Sequence, residues 1–148
     1  MPDTRQLSML ADIAQEKRDA AARKLAQALT LLADSESRLS LLDKYCADYR
    51  TRLALAAAQG VSVDEMRNFR EFIVKLEQAI TQQRTEVETL RRGVADCRDR
   101  WMLARRKGRS LDVLAERAFS VAREIESRRL QKLVDEFASR NATLRATG

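Results

Sequence analysis

The sequence predicts an all-α protein whose two long helices form an antiparallel coiled-coil hairpin that turns near residues 60–62. Apolar residues recur at alternating steps of three and four along most of the chain, and this stripe breaks once, at Gly60, Val61 and Ser62. The 148 residues include only four Gly and one Pro, which leaves few sites for further turns. Each arm therefore presents a narrow seam that needs a partner helix. Two seams joined by one turn can pair with each other.

The first helix is predicted from about residue 4 to residue 59. Along its seam only Ser35 is polar, and the full row is Leu25, Ala28, Leu32, Ser35, Leu39, Leu42, Cys46, Tyr49, Leu53 and Ala56. The first turns offer a weaker seam, because Lys17 and Arg18 interrupt the apolar residues Leu7, Leu10, Ile13 and Ala14. Residues 1–3 are expected to be frayed.

The turn carries specific local signals. Gly60 can adopt the left-handed conformation that ends a helix without steric cost. Ser62 and Glu65 have the spacing of a capping box, in which the serine oxygen accepts from the Glu65 amide. These residues place the end of one helix and the start of the next within three positions.

The second helix is predicted from residue 63 to about residue 140, with a frayed tail at 141–148. Its seam contains one polar residue, Gln83, in the row Phe69, Ile73, Leu76, Ile80, Gln83, Val87, Leu90, Val94, Cys97, Trp101 and Ala104. Beyond Gly108 we expect a stutter, after which Leu111, Leu114, Ala118, Val121 and Ile125 form one row. A second row is Leu130, Leu133 and Phe137. Because the arms are unequal, the second helix should outrun the first or bend at Gly93 or Gly108.

Composition argues against catalysis. The chain has no His, which removes the commonest general base and most zinc sites, so we expect no cofactor, no metal and no enzyme activity. Cys46 and Cys97 both fall on the seams and are expected to be free, buried thiols. The length of the chain predicts one domain, residues 1–148. Because the sequence has no apolar run long enough to cross a bilayer and no signal peptide, we expect the protein in the cytosol.

Two surface features could bind a partner. The net charge is +6, and residues 98–109 concentrate Arg98, Arg100, Arg105, Arg106, Lys107 and Arg109. This cluster predicts an acidic partner, or alternatively a solvated face paired locally with Asp96, Asp99 and Asp112. Counted from the turn, residues 42–49 and 72–83 lie side by side, and the apolar ones are Leu42, Tyr45, Tyr49, Phe72, Leu76 and Ala79. They predict either a binding patch or a locally thicker core.

The chain resembles the FliJ family of flagellar type III export proteins over nearly its whole length. The resemblance lies in residues 45–50 (YCADYR), residues 72–80 (FIVKLEQAI), Trp101 with the basic segment after it, and residues 135–138 (DEFA). It implies a cytoplasmic coiled-coil stalk, peripherally associated with the inner membrane, that binds a hexameric export ATPase and promotes its assembly and activity. It also implies contacts with the membrane export-gate protein, through that protein's cytoplasmic linker region, and with export chaperones.

The resemblance also assigns residues to these contacts. The gate surface corresponds to Leu42, Tyr45, Tyr49, Phe72, Leu76, Ala79 and Gln83. Arg38 and Gln83 depart from the glutamine and histidine expected there. The stalk orientation places Arg105, Arg106, Leu130, Leu133 and Phe137 towards the ATPase. We expect the isolated chain to be a monomer that does not bind nucleic acid. The alternatives are the equivalent stalk of a virulence secretion system and a basic coiled-coil nucleic-acid-binding protein.

Overall fold

The computed structural model describes residues 3–147 and contains two helices, α1 (Thr4–Gln59) and α2 (Val63–Thr147). The helices pack against each other in an antiparallel hairpin, and the described residues include no strand, which confirms the predicted fold class. The chain divides into two compact units. One is Ala21–Trp101, and the other joins residues 3–20 to residues 102–147.

The turn lies where the sequence predicts it and closes with a Schellman motif. Gly60 has a φ of +76°, in the left-handed region that favours glycine. The Val61 amide donates to the Ala56 carbonyl at 3.3 Å, and the Gly60 amide donates to the Ala57 carbonyl at 3.4 Å. The Ser62 hydroxyl then accepts from the Glu65 amide at 3.3 Å, so the serine half of the predicted capping box is present.

In the unit Ala21–Trp101, the seam is the one that the spacing predicts. Every predicted seam residue of both helices in this unit is buried or half-buried. Near the turn, buried Cys46, Ile73 and Ile80 form a core cluster, against which pack the half-buried residues Leu39, Leu42, Tyr49, Leu53 and Leu76. Burial of this apolar area stabilises the hairpin by about 25 cal/mol per Å² removed from water.

The two polar seam residues face each other across the helices. Ser35 is only 1% exposed, and the Gln83 side-chain amide donates to its hydroxyl at 2.7 Å and to its backbone carbonyl at 3.1 Å. A buried polar pair contributes less than an apolar pair but penalises any other alignment of the helices, because shifting them would leave the polar groups unpaired. This pair therefore specifies the register.

One flank of this seam carries three ion pairs between the helices. They are Glu36–Arg91 at 3.5 Å, Asp43–Arg84 at 4.0 Å and Arg50–Glu77 at 2.6 Å, spaced by seven residues on each helix. We call these three pairs the ion-pair row. The hydrogen bond from Arg50 to Glu77 is the main cause that raises the pKa of the Arg50 guanidinium above its ordinary value. Water and salt screen exposed pairs, which therefore add little to stability, so the row chiefly favours this alignment.

In the other unit the seam departs from the prediction. The steps of three and four continue without a stutter. They pass through the buried or half-buried residues Leu7, Ala11, Ala14 and Arg18 on α1 and Ala104, Gly108, Leu111, Ala115 and Ala118 on α2. Leu10, Ile13 and Leu114 are exposed, so their expected seam positions are wrong. Small residues take most of those places: Ala11, Ala14, Ala104, Gly108, Ala115 and Ala118. The larger neighbours lie on the flanks.

Arg18 occupies a seam position directly over Gly108. A Cβ added at Gly108 would lie 2.6 Å from Arg18 Nε, so the absent side chain makes the space that the arginine fills. Arg18 Nη2 donates to Asp112 Oδ2 at 3.1 Å, while Arg18 Nε is buried without a hydrogen-bond partner among the described residues. A sequence pattern that counts arginine as an interruption cannot foresee this packing.

Beyond Ala118, α2 continues for roughly eight turns in which every described residue is exposed. The helix ends at Thr147, later than the predicted end near residue 140, so residues 141–147 are helical. This stretch contains no Gly or Pro, and the hydroxyls of Thr143 and Thr147 donate to the carbonyls four residues earlier. Met1, Pro2 and Gly148, which were expected to be frayed, lie outside the described residues.

The two helical glycines of α2 should respond differently to alanine. Gly93→Ala should raise the free energy of unfolding by about 0.5–1 kcal/mol, because an added Cβ there has nothing within 4 Å. Gly108→Ala should raise the free energy of unfolding by a smaller amount, because its Cβ displaces Arg18 from Asp112. Thermal unfolding followed by circular dichroism measures both. In an Arg18→Ala background, Gly108→Ala should recover the full gain, and equal gains at both positions in the unaltered background would contradict this packing.

Candidate functional site

The predicted patch near the turn is built around one aromatic contact. The rings of Tyr49 and Phe72 lie 4.4 Å apart between centroids, at an interplanar angle of 38°, and join the two helices. Leu42 and Leu76 pack with Tyr49 against the same core cluster. The structure thus brings together the central residues that the spacing places side by side.

The outer residues of the patch lie on one flank of the seam. At about 100° per residue, Tyr45 on α1 lies about 100° to one side of buried Cys46, and Phe72 and Ala79 on α2 lie about as far from buried Ile73 and Ile80. Helical geometry therefore directs Tyr45, Phe72 and Ala79 towards the same flank. We call the whole group, Leu42, Tyr45, Tyr49, Phe72, Leu76, Ala79 and Gln83, the aromatic patch.

Exposure separates the patch residues into two kinds. Tyr45 is 48% exposed and Phe72 is 42% exposed, whereas Leu42, Tyr49 and Leu76 are half-buried in the seam. A two-helix seam covers only one side of each helix, so large side chains beside it stay accessible. Exposed aromatic rings over a packed apolar base are typical of protein-binding surfaces.

Gln83 has a structural role that the sequence did not reveal. Both donor hydrogens of its side-chain amide are used on Ser35, which leaves only the amide oxygen for an outside partner. Ala79 and Gln83 are half-buried, so they form the edge of the patch.

The structure extends the patch towards the turn by residues that the prediction omits. Phe69, which the sequence places on the seam, lies 6.4 Å from Tyr49 between ring centroids. Together with Glu65, Asn68 and Phe72, these rings line an open cavity of about 290 Å³. The guanidinium of Arg52 stacks on Tyr49, 5.3 Å from the ring centroid. In the sequence, the i, i+3 spacing of Phe69 and Phe72 could have indicated that both rings belong to one surface.

The second group of predicted site residues lies in the unit formed by residues 3–20 and 102–147. Leu130, Leu133 and Phe137 are exposed, and their spacing of three and four places them within about 60° on one helix face. They form an accessible apolar face, but no described residue of α1 covers it. Arg105 and Arg106 are exposed on the same helix. Asp112, expected to pair within the basic cluster, instead pairs with Arg18.

Other site chemistry is sparse. Over residues 3–147, no three His, Cys, Asp or Glu side chains lie close enough to hold a metal ion. Cys46 is a buried free thiol and Cys97 a half-buried one. Neither described helix has an apolar stretch that could span a membrane.

Comparison with known proteins points to one family. The family described as "Flagellar FliJ protein" matches residues 3–147 of the chain. The chain is 31% identical over 136 residues to the Flagellar FliJ protein of Escherichia coli K12, and 30% identical over 136 residues to that of Salmonella typhi. Each alignment covers 92% of this chain and 92% of the relative.

The difference in exposure between the aromatic patch and the core predicts different losses of stability when their residues are truncated. Phe72→Ala should cost less than truncation of a fully buried neighbour, because its ring is already 42% exposed and loses only the contact with Tyr49 and the buried part of its area. The neighbouring Ile73→Ala should cost about 2–5 kcal/mol, since Ile73 lies in the buried cluster. Denaturant unfolding of both variants checks this. If the Phe72 variant loses as much stability as the Ile73 variant, the ring belongs to the core and not to a binding surface.

Proposed function

The chain belongs to the flagellar FliJ protein family, and we propose that it is a non-enzymatic component of the flagellar type III protein export apparatus. The half-exposed aromatic pair Tyr45 and Phe72, beside a packed seam, carries this proposal. A hairpin whose large apolar side chains remain accessible acts by binding other proteins. Because the chain belongs to the FliJ family, the partners we propose are other proteins of the flagellar export apparatus.

In this proposal, the chain is a stalk that binds the hexameric export ATPase and promotes its assembly and activity. Residues 119–147 support this role, because they form a helix exposed on all sides that carries the apolar face of Leu130, Leu133 and Phe137. Such a helix can enter a ring without first unfolding the rest of its unit. Arg105 and Arg106 would add a long-range attraction to acidic groups at the ring entrance, which raises the association rate more than the final affinity.

The aromatic patch is the proposed surface for the cytoplasmic linker region of the membrane export-gate protein. Tyr45, Tyr49 and Phe72 supply large contact area at low cost in conformational entropy. This contact would hold the protein peripherally at the cytoplasmic side of the inner membrane. Export chaperones are further proposed partners, and the isolated chain is proposed to be a monomer.

Two alternatives remain distinguishable by experiment. The equivalent stalk of a virulence secretion system is less well supported, because both relatives are named as flagellar proteins. A nucleic-acid-binding role would use the arginines of residues 98–109. It would give an affinity that falls steeply with salt, with a slope set by the number of phosphates contacted.

Truncation of the exposed rings should weaken gate binding without unfolding the hairpin. Tyr45→Ala and Phe72→Ala should each cost about 2 kcal/mol of binding free energy, or roughly thirtyfold in Kd, because buried aromatic anchors dominate such interfaces. Isothermal titration with the cytoplasmic part of the gate protein measures the loss. Leu29→Ala, at an apolar residue of α1 that is 42% exposed and lies sixteen residues before Tyr45 on the other flank of the seam, is the matched control. Unchanged gate binding by both ring variants would refute the assignment of the patch.

Removal of the exposed end of α2 should abolish stimulation of the ATPase. Deleting residues 130–148 removes Leu130, Leu133 and Phe137 but leaves the whole seam in place. Arg105→Glu with Arg106→Glu should only weaken stimulation, mostly at low salt, because exposed charges are screened within about 10 Å at 0.1 M salt. ATP hydrolysis by the export ATPase, measured with each variant at two ionic strengths, checks both. Full stimulation by the truncated chain would contradict the stalk orientation.

A further inference from the structure

An open groove near the turn has no part in the surfaces described above. It lies along the first turns of α2 in the unit Ala21–Trp101 and has a volume of about 780 Å³. Its apolar lining comes from Val61, Val63, Met66 and Val74. Val63 is 76% exposed and Val74 is 50% exposed, whereas Val61 and Met66 are half-buried, so the two α2 valines supply the accessible part of the lining.

The groove lies on the opposite side of α2 from the aromatic patch. Relative to buried Ile73, Val74 is turned about 100° one way and Phe72 about 100° the other way. The groove therefore shares the flank of the ion-pair row. A partner bound here would leave Tyr45 and Phe72 free for another protein.

Positive charge borders the apolar lining. Arg67, Arg70 and Lys75 line the groove, against one carboxylate, Glu71. None of these three cations forms an ion pair within the described residues. By contrast, each arginine of the ion-pair row is paired with a carboxylate of the other helix. Unpaired cations beside exposed apolar side chains favour an occupant with apolar and acidic groups interspersed.

The arrangement of the lining gives the occupant its shape. Val63, Arg67, Arg70, Val74 and Gln78 follow steps of four, three, four and four, which make a second row along α2. From Val63 to Gln78 the row is about 22 Å long, the length of a helix of about 15 residues. The two valines of the row lie about three turns apart, and two arginines stand between them.

We propose that this groove binds an acidic amphipathic helix of a partner protein. The occupant places apolar residues near its two ends, against Val63 with Met66 and against Val74, and carboxylates between them, against Arg67, Arg70 and Lys75. A second copy of this chain is disfavoured, because the chain carries a net charge of +6 and would repel itself. A lipid surface is disfavoured, because a flat bilayer cannot enter a groove whose apolar lining is bordered by long side chains. The inference is independent of the ATPase and gate contacts.

Direct binding of a synthetic helix tests the groove. The probe is a labelled peptide of about 18 residues with leucines about eleven residues apart on one face and glutamates between and beside them. Fluorescence anisotropy with the full chain should show saturable binding that weakens with salt. The triple variant Arg67→Glu, Arg70→Glu, Lys75→Glu and the single variant Val74→Asp should each bind about tenfold more weakly or worse. Circular dichroism establishes that both remain folded.

The matched control is the triple variant Arg23→Glu, Lys24→Glu, Lys44→Glu, which makes the same charge change at exposed residues away from the groove. It should bind the peptide as the unaltered chain does. The proposal is overturned if the groove triple variant binds normally, or if a peptide with lysines in place of glutamates binds as well. Groove-dependent binding to phosphatidylglycerol vesicles without peptide binding would overturn it in favour of a lipid surface. Concentration-dependent dimers that Val74→Asp abolishes would overturn it in favour of a second copy.

Discussion

The pairing of two seams whose residues step by three and four is the constraint on which the rest of the structure depends. It requires one narrow apolar stripe on each helix and one turn that reverses the chain, and it leaves the remaining surface of both helices uncovered. Gly60 meets the geometric requirement of the turn by adopting a positive φ. Without the seam, neither the aromatic patch nor the ion-pair row would exist, because each draws residues from both helices.

Alignment of the seams is controlled by polar groups. The Ser35–Gln83 pair is buried at one point, and the ion-pair row repeats every seven residues beside it. The polarity of the row reverses between Asp43–Arg84 and Arg50–Glu77, so a slip of one heptad would bring like charges together. Apolar contacts alone tolerate such slips, since leucines and alanines in successive heptads are similar in shape. Alignment matters for function because it decides that Tyr49 meets Phe72.

The two flanks of the seam in the unit Ala21–Trp101 differ in chemistry, and this difference organises the proposed contacts. One flank carries the aromatic patch, and the other carries the ion-pair row and, nearer the turn, the basic groove. A hairpin with distinct flanks can hold two partners at once without moving. The exposed helix of residues 119–147 offers a third kind of surface, an apolar face with no partner from α1.

Much of the fold follows from the sequence alone, because the signals are local. The period of three and four is the geometry of a single helix, and the Gly60 and Ser62 signals act within a few residues, so both seams and the turn are predictable. The centre of the aromatic patch is predictable for a related reason: counting from a known turn gives the register of an antiparallel pair.

Other features depend on which side chains meet, and only the tertiary structure decided them. Arg18 lies in the seam because Gly108 opposite it leaves room, and Ala115 is buried where Leu114 was expected. Gln83 turns inward because Ser35 offers a buried acceptor. The ion-pair row forms because the pairing of the seams sets the rotation of each helix about its axis and so brings charged residues of both helices together. Sequence therefore determined the helices and their pairing, while contacts across the pair decided the chemistry of each flank.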